Sequence, residues 1–363
     1  MAGPGRSRRV VVGGLGALVV AACGRQSHSQ PDAALPPLRP LKAVAPFPVG
    51  CAVTAERLAD PADAALIASQ FSQLTPEWQL KMEYVLAEPG RLRFDAPDAI
   101  AGFARRHGMR FFGHTLVWYA EAPEAFQRLD GQGGAFERAY RDYIDAVVGR
   151  YRGAAVGWDV VNEAVAEDGD GLRESLWSRN LGAQEHMRLA FEQAHAADPA
   201  ALLLINDYNL ESRPNKRATF LRLVEDLLRA GTPIGGIGAQ THIAADLAPG
   251  AVRAALGELA GLGLPIHVSE LDISLNRGRG PLTSQASLED RQRRLAYEVG
   301  DAFAALPSAR RFALTVWGLR DGQSWLRGPK ENPEPPWDAP LMFDDEGRAK
   351  PLLGALEAGL THG

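Results

Sequence analysis

Cysteine is nearly absent from this chain of 363 residues: there are two, Cys23 and Cys51. A disulfide scaffold is excluded, and if Cys23 serves another purpose no internal disulfide is possible, so the core must hold the fold. The N-terminal apolar run, Val10 to Val20, is about half of what a transmembrane helix needs. Basic charge is not in excess either: 39 Lys and Arg against 44 Asp and Glu leave a net charge of -5. With no basic stripe interleaved with aromatics, nucleic acid drops out of the expected partners and a neutral polymer or small molecule remains. No Gly-rich phosphate turn follows the first strand-like segment, and no cysteine cluster or metal-ligand spacing occurs. Neither a cofactor nor a metal is therefore expected.

What is present begins with a targeting signal. Arg6, Arg8 and Arg9 precede the apolar run, and Ala21-Ala22-Cys23 closes it, so residues 1–22 are expected to be an export signal. Val20-Ala21-Ala22-Cys23 resembles a lipobox with Cys23 as the lipidated residue, and Ser7-Arg8-Arg9 resembles a twin-arginine signal. Pro31, Pro36, Pro37 and Pro40 then mark residues 23–44 as a flexible tether, leaving 45–363 as one domain. The expectation is an exported, monomeric protein of the periplasm or cell envelope, touching membrane only through a lipid at Cys23.

Beyond the tether the chain has a rhythm. Eight short apolar segments recur, at Phe47 to Ala52, Ala68 to Thr75, Phe111 to Trp118, Val156 to Val161, Leu202 to Asn206, Ile237 to Thr241, Ile266 to Leu271 and Phe312 to Trp317. Amphipathic stretches stand between them, among them Phe136 to Arg152, Glu185 to Ala197, Lys216 to Ala230, Val252 to Ala260 and Arg291 to Leu306. Eight strand-helix units predict a (β/α)8 barrel with its site on the carboxyl-terminal strand ends. A doubly wound open sheet is the competing arrangement, and it lacks its phosphate turn here.

The strand ends share a chemistry. Asn162-Glu163 closes the fourth segment and Glu270-Leu271-Asp272 the seventh; others end in Glu77 and Lys81, His114 and Trp118, Asn206-Asp207-Tyr208-Asn209, Gln240-Thr241-His242, and Trp317 with Trp325 beyond. Taken singly, several have plainer readings. Asn-Glu after an apolar run is often a helix cap, His114 can be a structural histidine, Trp118 and Trp317 can fill a barrel core, and Asp272 can pair with a nearby base. Taken together, indoles suit the apolar faces of sugars, amides and imidazoles suit hydroxyls, and two carboxyls suit glycosidic cleavage.

In order and spacing, TPEWQLK, GHTLVW, WDVVNEA, INDYN, QTHI, SELDI and TVWGLRDGQSW resemble the strand-end motifs of glycoside hydrolase family 10, the endo-β-1,4-xylanases. The resemblance runs from about Phe47 to Pro351. It implies a retaining glycosidase in which Glu163 is the acid/base and Glu270 the nucleophile. By the same resemblance Asn162, His242 and Asp272 support them, and xylan or xylo-oligosaccharide contacts Glu77, Lys81, His114, Trp118, Tyr208, Asn209, Gln240, Trp317 and Trp325. Three positions depart from the family pattern: Trp78 where Asn is common, Tyr119 for His, and Glu121 for Gln. A surface lipoprotein that binds oligosaccharide without cleaving it is the alternative, and a phosphate-handling barrel is disfavoured by Trp317-Gly318-Leu319 after the last strand.

Overall fold

The computed structural model describes residue 1 and residues 39–88, 90–280, 282–331 and 336–362. The rest of the expected export signal, Cys23 and the expected tether as far as residue 38 lie outside the described residues. Among the described residues nine strands are present: β1 (Val49–Val53), β2 (Gln73–Pro76), β3 (Arg110–Trp118), β4 (Ala155–Asn162), β5 (Leu202–Asp207), β6 (Gly236–Ala239), β7 (His242–Ala244), β8 (Ile266–Ser274) and β9 (Arg311–Val316). Eight of them pair in parallel in chain order, and β9 returns to β1 with Val49 opposite Leu314, so the sheet closes. Closure across β6 and β8 sets Ile237 opposite Ile266; β7 is a short extra strand that pairs only with the far end of β8. This is the expected (β/α)8 barrel.

Parallel strands covered on both faces must be apolar or internally satisfied. All nine residues of β8 and all five of β1 are buried. Polar side chains within the barrel pair with one another: His267 Nε2 lies 2.7 Å from Thr315 Oγ1, and burial lowers the His267 imidazole to about 3, which keeps it neutral. Helices cover the outside, including Gly134–Arg150, Glu185–Ala197, Pro214–Arg229, Ala251–Ala260 and Gln285–Ala304, close to the expected stretches. Among the described residues no helix is long and apolar enough to cross a membrane.

Two expectations need correction. The segment Ala68 to Thr75 is not one strand, because a helix over Pro61–Gln70 takes its first three residues and β2 begins only at Gln73. The cause is at the start of that helix, where Asp60 accepts from the Ala62 and Asp63 amides at 2.9 and 3.0 Å and Pro61 presets φ. The tether also ends earlier than residue 44. Leu41–Val44 form a helical turn, Leu41 is fully buried, and Arg39 pairs with Glu357 in the C-terminal helix at 3.0 Å.

Candidate active site

The strand ends converge at one mouth, and the backbone there is strained. Among the described residues three non-glycine residues have positive φ: Glu163 (60°), Asn209 (58°) and Thr241 (63°), which follow β4, β5 and β6. The left-handed conformation costs such residues about 1–3 kcal/mol each and persists only where surrounding structure imposes it. At Glu163 the imposing bond is its own N–H, which donates to the Asn206 carbonyl across the β4–β5 seam at 2.8 Å.

Side-chain amides tie the two carboxyls together. Asn206 Nδ2 donates to Glu270 Oε1 at 2.7 Å and to Asn162 Oδ1 at 2.8 Å. Gln240 Nε2 donates to Asn162 Oδ1 at 3.2 Å and to Glu163 Oε1 at 3.1 Å. The array needs Gly238, because a Cβ there would stand 2.1 Å from Asn206 Oδ1. Asn206 also accepts from Ser269 Oγ at 2.8 Å. These two residues had no role in the sequence reading, although an amide ending the apolar run LLLIND was a visible signal for the first.

On the Glu270 side stands a relay of charge. His242 Nδ1 lies 2.8 Å from Asp272 Oδ2 and its Nε2 lies 3.3 Å from Glu270 Oε2, while Trp325 Nε1 donates to Asp272 Oδ2 at 2.8 Å. Burial works against a charged imidazole, but the two carboxylates outweigh it and hold His242 up at about 10, so it is a donor on both sides. Burial alone would raise Glu270; attraction to His114, donation from His242 and the charge of Lys81 hold it down at about 2. Glu163 is pushed the other way. Burial raises it, and repulsion from Asp207 and Glu270 adds to that against donation from Gln240. A carboxyl whose proton affinity is raised beside one whose proton affinity is lowered is the division that acid-assisted displacement at a sugar carbon requires.

The profile of glycosyl hydrolase family 10 matches residues 40–358. The chain belongs to that family. It is 36% identical over 326 residues to endo-1,4-beta-xylanase A of Thermoanaerobacterium saccharolyticum, covering 85% of this chain and 26% of that protein. To exoglucanase XynX of Acetivibrio thermocellus it is 36% identical over 325 residues, covering 85% and 28%. The chain thus spans about a quarter of the length of these curated relatives. Among solved structures it resembles a mutant of the T. saccharolyticum intracellular xylanase in complex with xylotriose, with a TM-score of 0.78 and 34% identity over 88% of this chain and 99% of that one.

The other residues expected from the family 10 resemblance occupy the same mouth. His114 Nδ1 lies 2.8 Å from Asp159 Oδ2, its Nε2 is buried without a protein partner, and its ring meets the edge of Trp317 at 5.1 Å. Trp317 also faces His242 at 6.2 Å, and Trp325 faces it at 5.2 Å. Lys81 sets its ammonium 4.5 Å over Trp118, and Glu77 pairs with Arg57. Tyr208 and Asn209 stand one step away in a charged cluster: Arg173 Nη2 donates to the Tyr208 hydroxyl at 2.6 Å, and Asn209 Nδ2 donates to Glu167 Oε1 at 3.2 Å. Beneath them Lys216 and Asp207 form a fully buried pair at 2.9 Å.

Asp159, Glu167 and Arg173 went unassigned in the sequence because their partners lie on other strands. His114, Asp159 and Glu270 also bring three ligand atoms within 4.8 Å of one another, the grouping among the described residues that could hold a cation. No sequence spacing announced it. His114 Nδ1 is engaged with Asp159 and Glu270 with Asn206 and His242, so the trio is a hydrogen-bonded part of the carboxylate network, while His114 Nε2 and Asp159 Oδ1 have no protein partner.

Proposed function

We propose that this chain hydrolyses internal β-1,4 bonds of xylan with retention, Glu163 acting as acid/base and Glu270 as nucleophile. One observation carries the reading: the two carboxyls sit at the ends of one amide array, Glu163 held above its ordinary value and Glu270 at about 2. Glu270 attacks the anomeric carbon while Glu163 protonates the leaving oxygen. Water, deprotonated by Glu163, then releases the sugar from the glycosyl-enzyme. Asn162 holds the sugar being cleaved, and His242 with Asp272 keeps Glu270 ionised. Trp317 and Trp325 offer stacking faces, with His114, Gln240, Lys81, Trp118 and Glu77 around the glycone sugars and Tyr208 with Asn209 on the leaving-group side. The xylanase and xylotriose named for similar proteins support xylan as the polymer.

Glu270→Ala should abolish turnover of xylohexaose, and azide should restore release from an activated aryl xyloside with inverted product. Wild-type rates in that variant would refute the assignment, and an unmodified protein that leaves xylohexaose intact would favour the pure binder. Products from glucuronoxylan, arabinoxylan and cellulose chains, compared side by side, test the choice of polymer. We further infer that the chain is exported, anchored through Cys23 and monomeric. The signal-like residues 1–22 and the lipobox-like stretch support export and anchoring. Lipid incorporation that persists in Cys23→Ser would remove the anchor from the proposal.

A further inference from the structure

The stretch Thr75 to Lys81 contributes Glu77 and Lys81 to the mouth, and the side chains of Glu77, Gln79 and Lys81 are engaged with protein. Glu77 is paired with Arg57, which also donates to the Gln323 carbonyl at 2.8 Å. Gln79 is buried, accepting from the Ala55 amide at 2.7 Å and donating to both Glu56 oxygens at 3.0 and 3.1 Å. Lys81 lies over Trp118. Among these seven residues only Trp78 is exposed, at 46%, and it is one of few large apolar side chains in the described residues to stand in water.

Its indole is not loose. Trp78 meets Tyr84 edge to face, with centroids 5.5 Å apart at 78°. Tyr84 is itself fixed, because its hydroxyl donates to Asp95 Oδ1 at 3.0 Å and the Arg93 guanidinium covers its ring at 4.1 Å. A propped, solvent-facing indole between two cleft residues has little to contribute to folding. Its large apolar face matches the axial C–H face of a pyranose.

We propose that Trp78 is a stacking platform for a glycone sugar beyond the one being cleaved, binding β-1,4-linked pyranoses by ring face rather than by hydroxyl pattern. The proposal rests on the glycosidase reading of the same cleft and specifies how its outer glycone position selects. Stacking discriminates weakly between rings that differ by one substituent, whereas a hydrogen-bonding site rejects the analogue that cannot pair. The position therefore accepts xylose and glucose units alike.

The test compares Trp78→Ala and Trp78→Phe with the unmodified protein on xylohexaose, cellohexaose and an aryl β-xyloside too short to reach the rim. Trp78→Ala should lower kcat/KM for xylohexaose roughly threefold to tenfold through KM, with Trp78→Phe recovering most of the loss and the aryl xyloside unaffected. Calorimetric titration of xylohexaose and cellohexaose should show both weakened by the same factor. Undiminished xylohexaose affinity and turnover in Trp78→Ala would overturn the platform, as would an equal loss on the aryl xyloside. Weakening confined to xylohexaose would overturn the claim of recognition by ring face. Should the unmodified protein cleave none of these substrates, the glycosidase reading fails, and the titrations still decide whether Trp78 binds sugar.

Discussion

His242→Asn separates the support of the proposed nucleophile, Glu270, from that carboxylate itself. An asparagine amide can take the place of Nδ1 and keep the bond to Asp272, but it has nothing to replace Nε2 and no charge to set between Glu270 and Asp272. Without that cation, burial acts on Glu270 with less opposition, and its carboxyl should climb from about 2 toward its ordinary 4.5, with the charges of His114 and Lys81 still opposing the rise. At about 1.4 kcal/mol per pH unit, a full return would be on the order of 3 kcal/mol, and the variant should lose a part of that. Stability should change shape as well. Glu270, depressed in the fold, contributes fully above about 4.5 and loses its contribution as pH falls toward 2, whereas His242, raised from 6.5, contributes fully below 6.5 and loses it as pH rises toward 10. For these two groups the unmodified protein should thus be most stable between about 4.5 and 6.5, and the variant should lose the alkaline decline and part of the acidic one. The assays are kcat/KM on an aryl xylobioside from pH 3 to 9 and melting temperature over the same range. The acidic limb of activity should move to higher pH and kcat at its plateau should fall about 10- to 100-fold, the worth of one hydrogen bond to a charged group. An acidic limb that stays where it was would refute the reasoning.

Glu163→Ala should cost about 10²–10⁴ in kcat on xylan while sparing aryl xylosides whose leaving groups need no proton, and equal losses on both would count against its acid role. Lys216→Met strands Asp207 in the interior beside Tyr208 and should destabilise the fold by about 3–5 kcal/mol in urea titration, since one partner of a buried pair is left alone. Leu41→Ala should cost about 2–5 kcal/mol by the same measurement if the turn ahead of β1 belongs to the domain, and a negligible loss would return it to the tether.

Some of this was legible in the residues themselves. Runs such as LLLIND and the alternation with amphipathic stretches mark the eight parallel strands because period and burial are local properties, and the polar clusters mark the mouth side of each strand even where, as at Glu270 and Asp272, the buried strand runs on past them. The order of those clusters carried the family 10 resemblance and with it Glu163 and Glu270. Closure of the ring decided the rest. It set Asn206 between Asn162 and Glu270, with Gly238 leaving it room, and gave His114 its Asp159; it also buried Leu41 against a domain that its prolines and polar neighbours had seemed to exclude. Sequence can name a carboxyl, but its proton affinity is a sum over charges and amides that come from other strands. Only their arrangement in space raises the proton affinity of one glutamate and lowers that of the other.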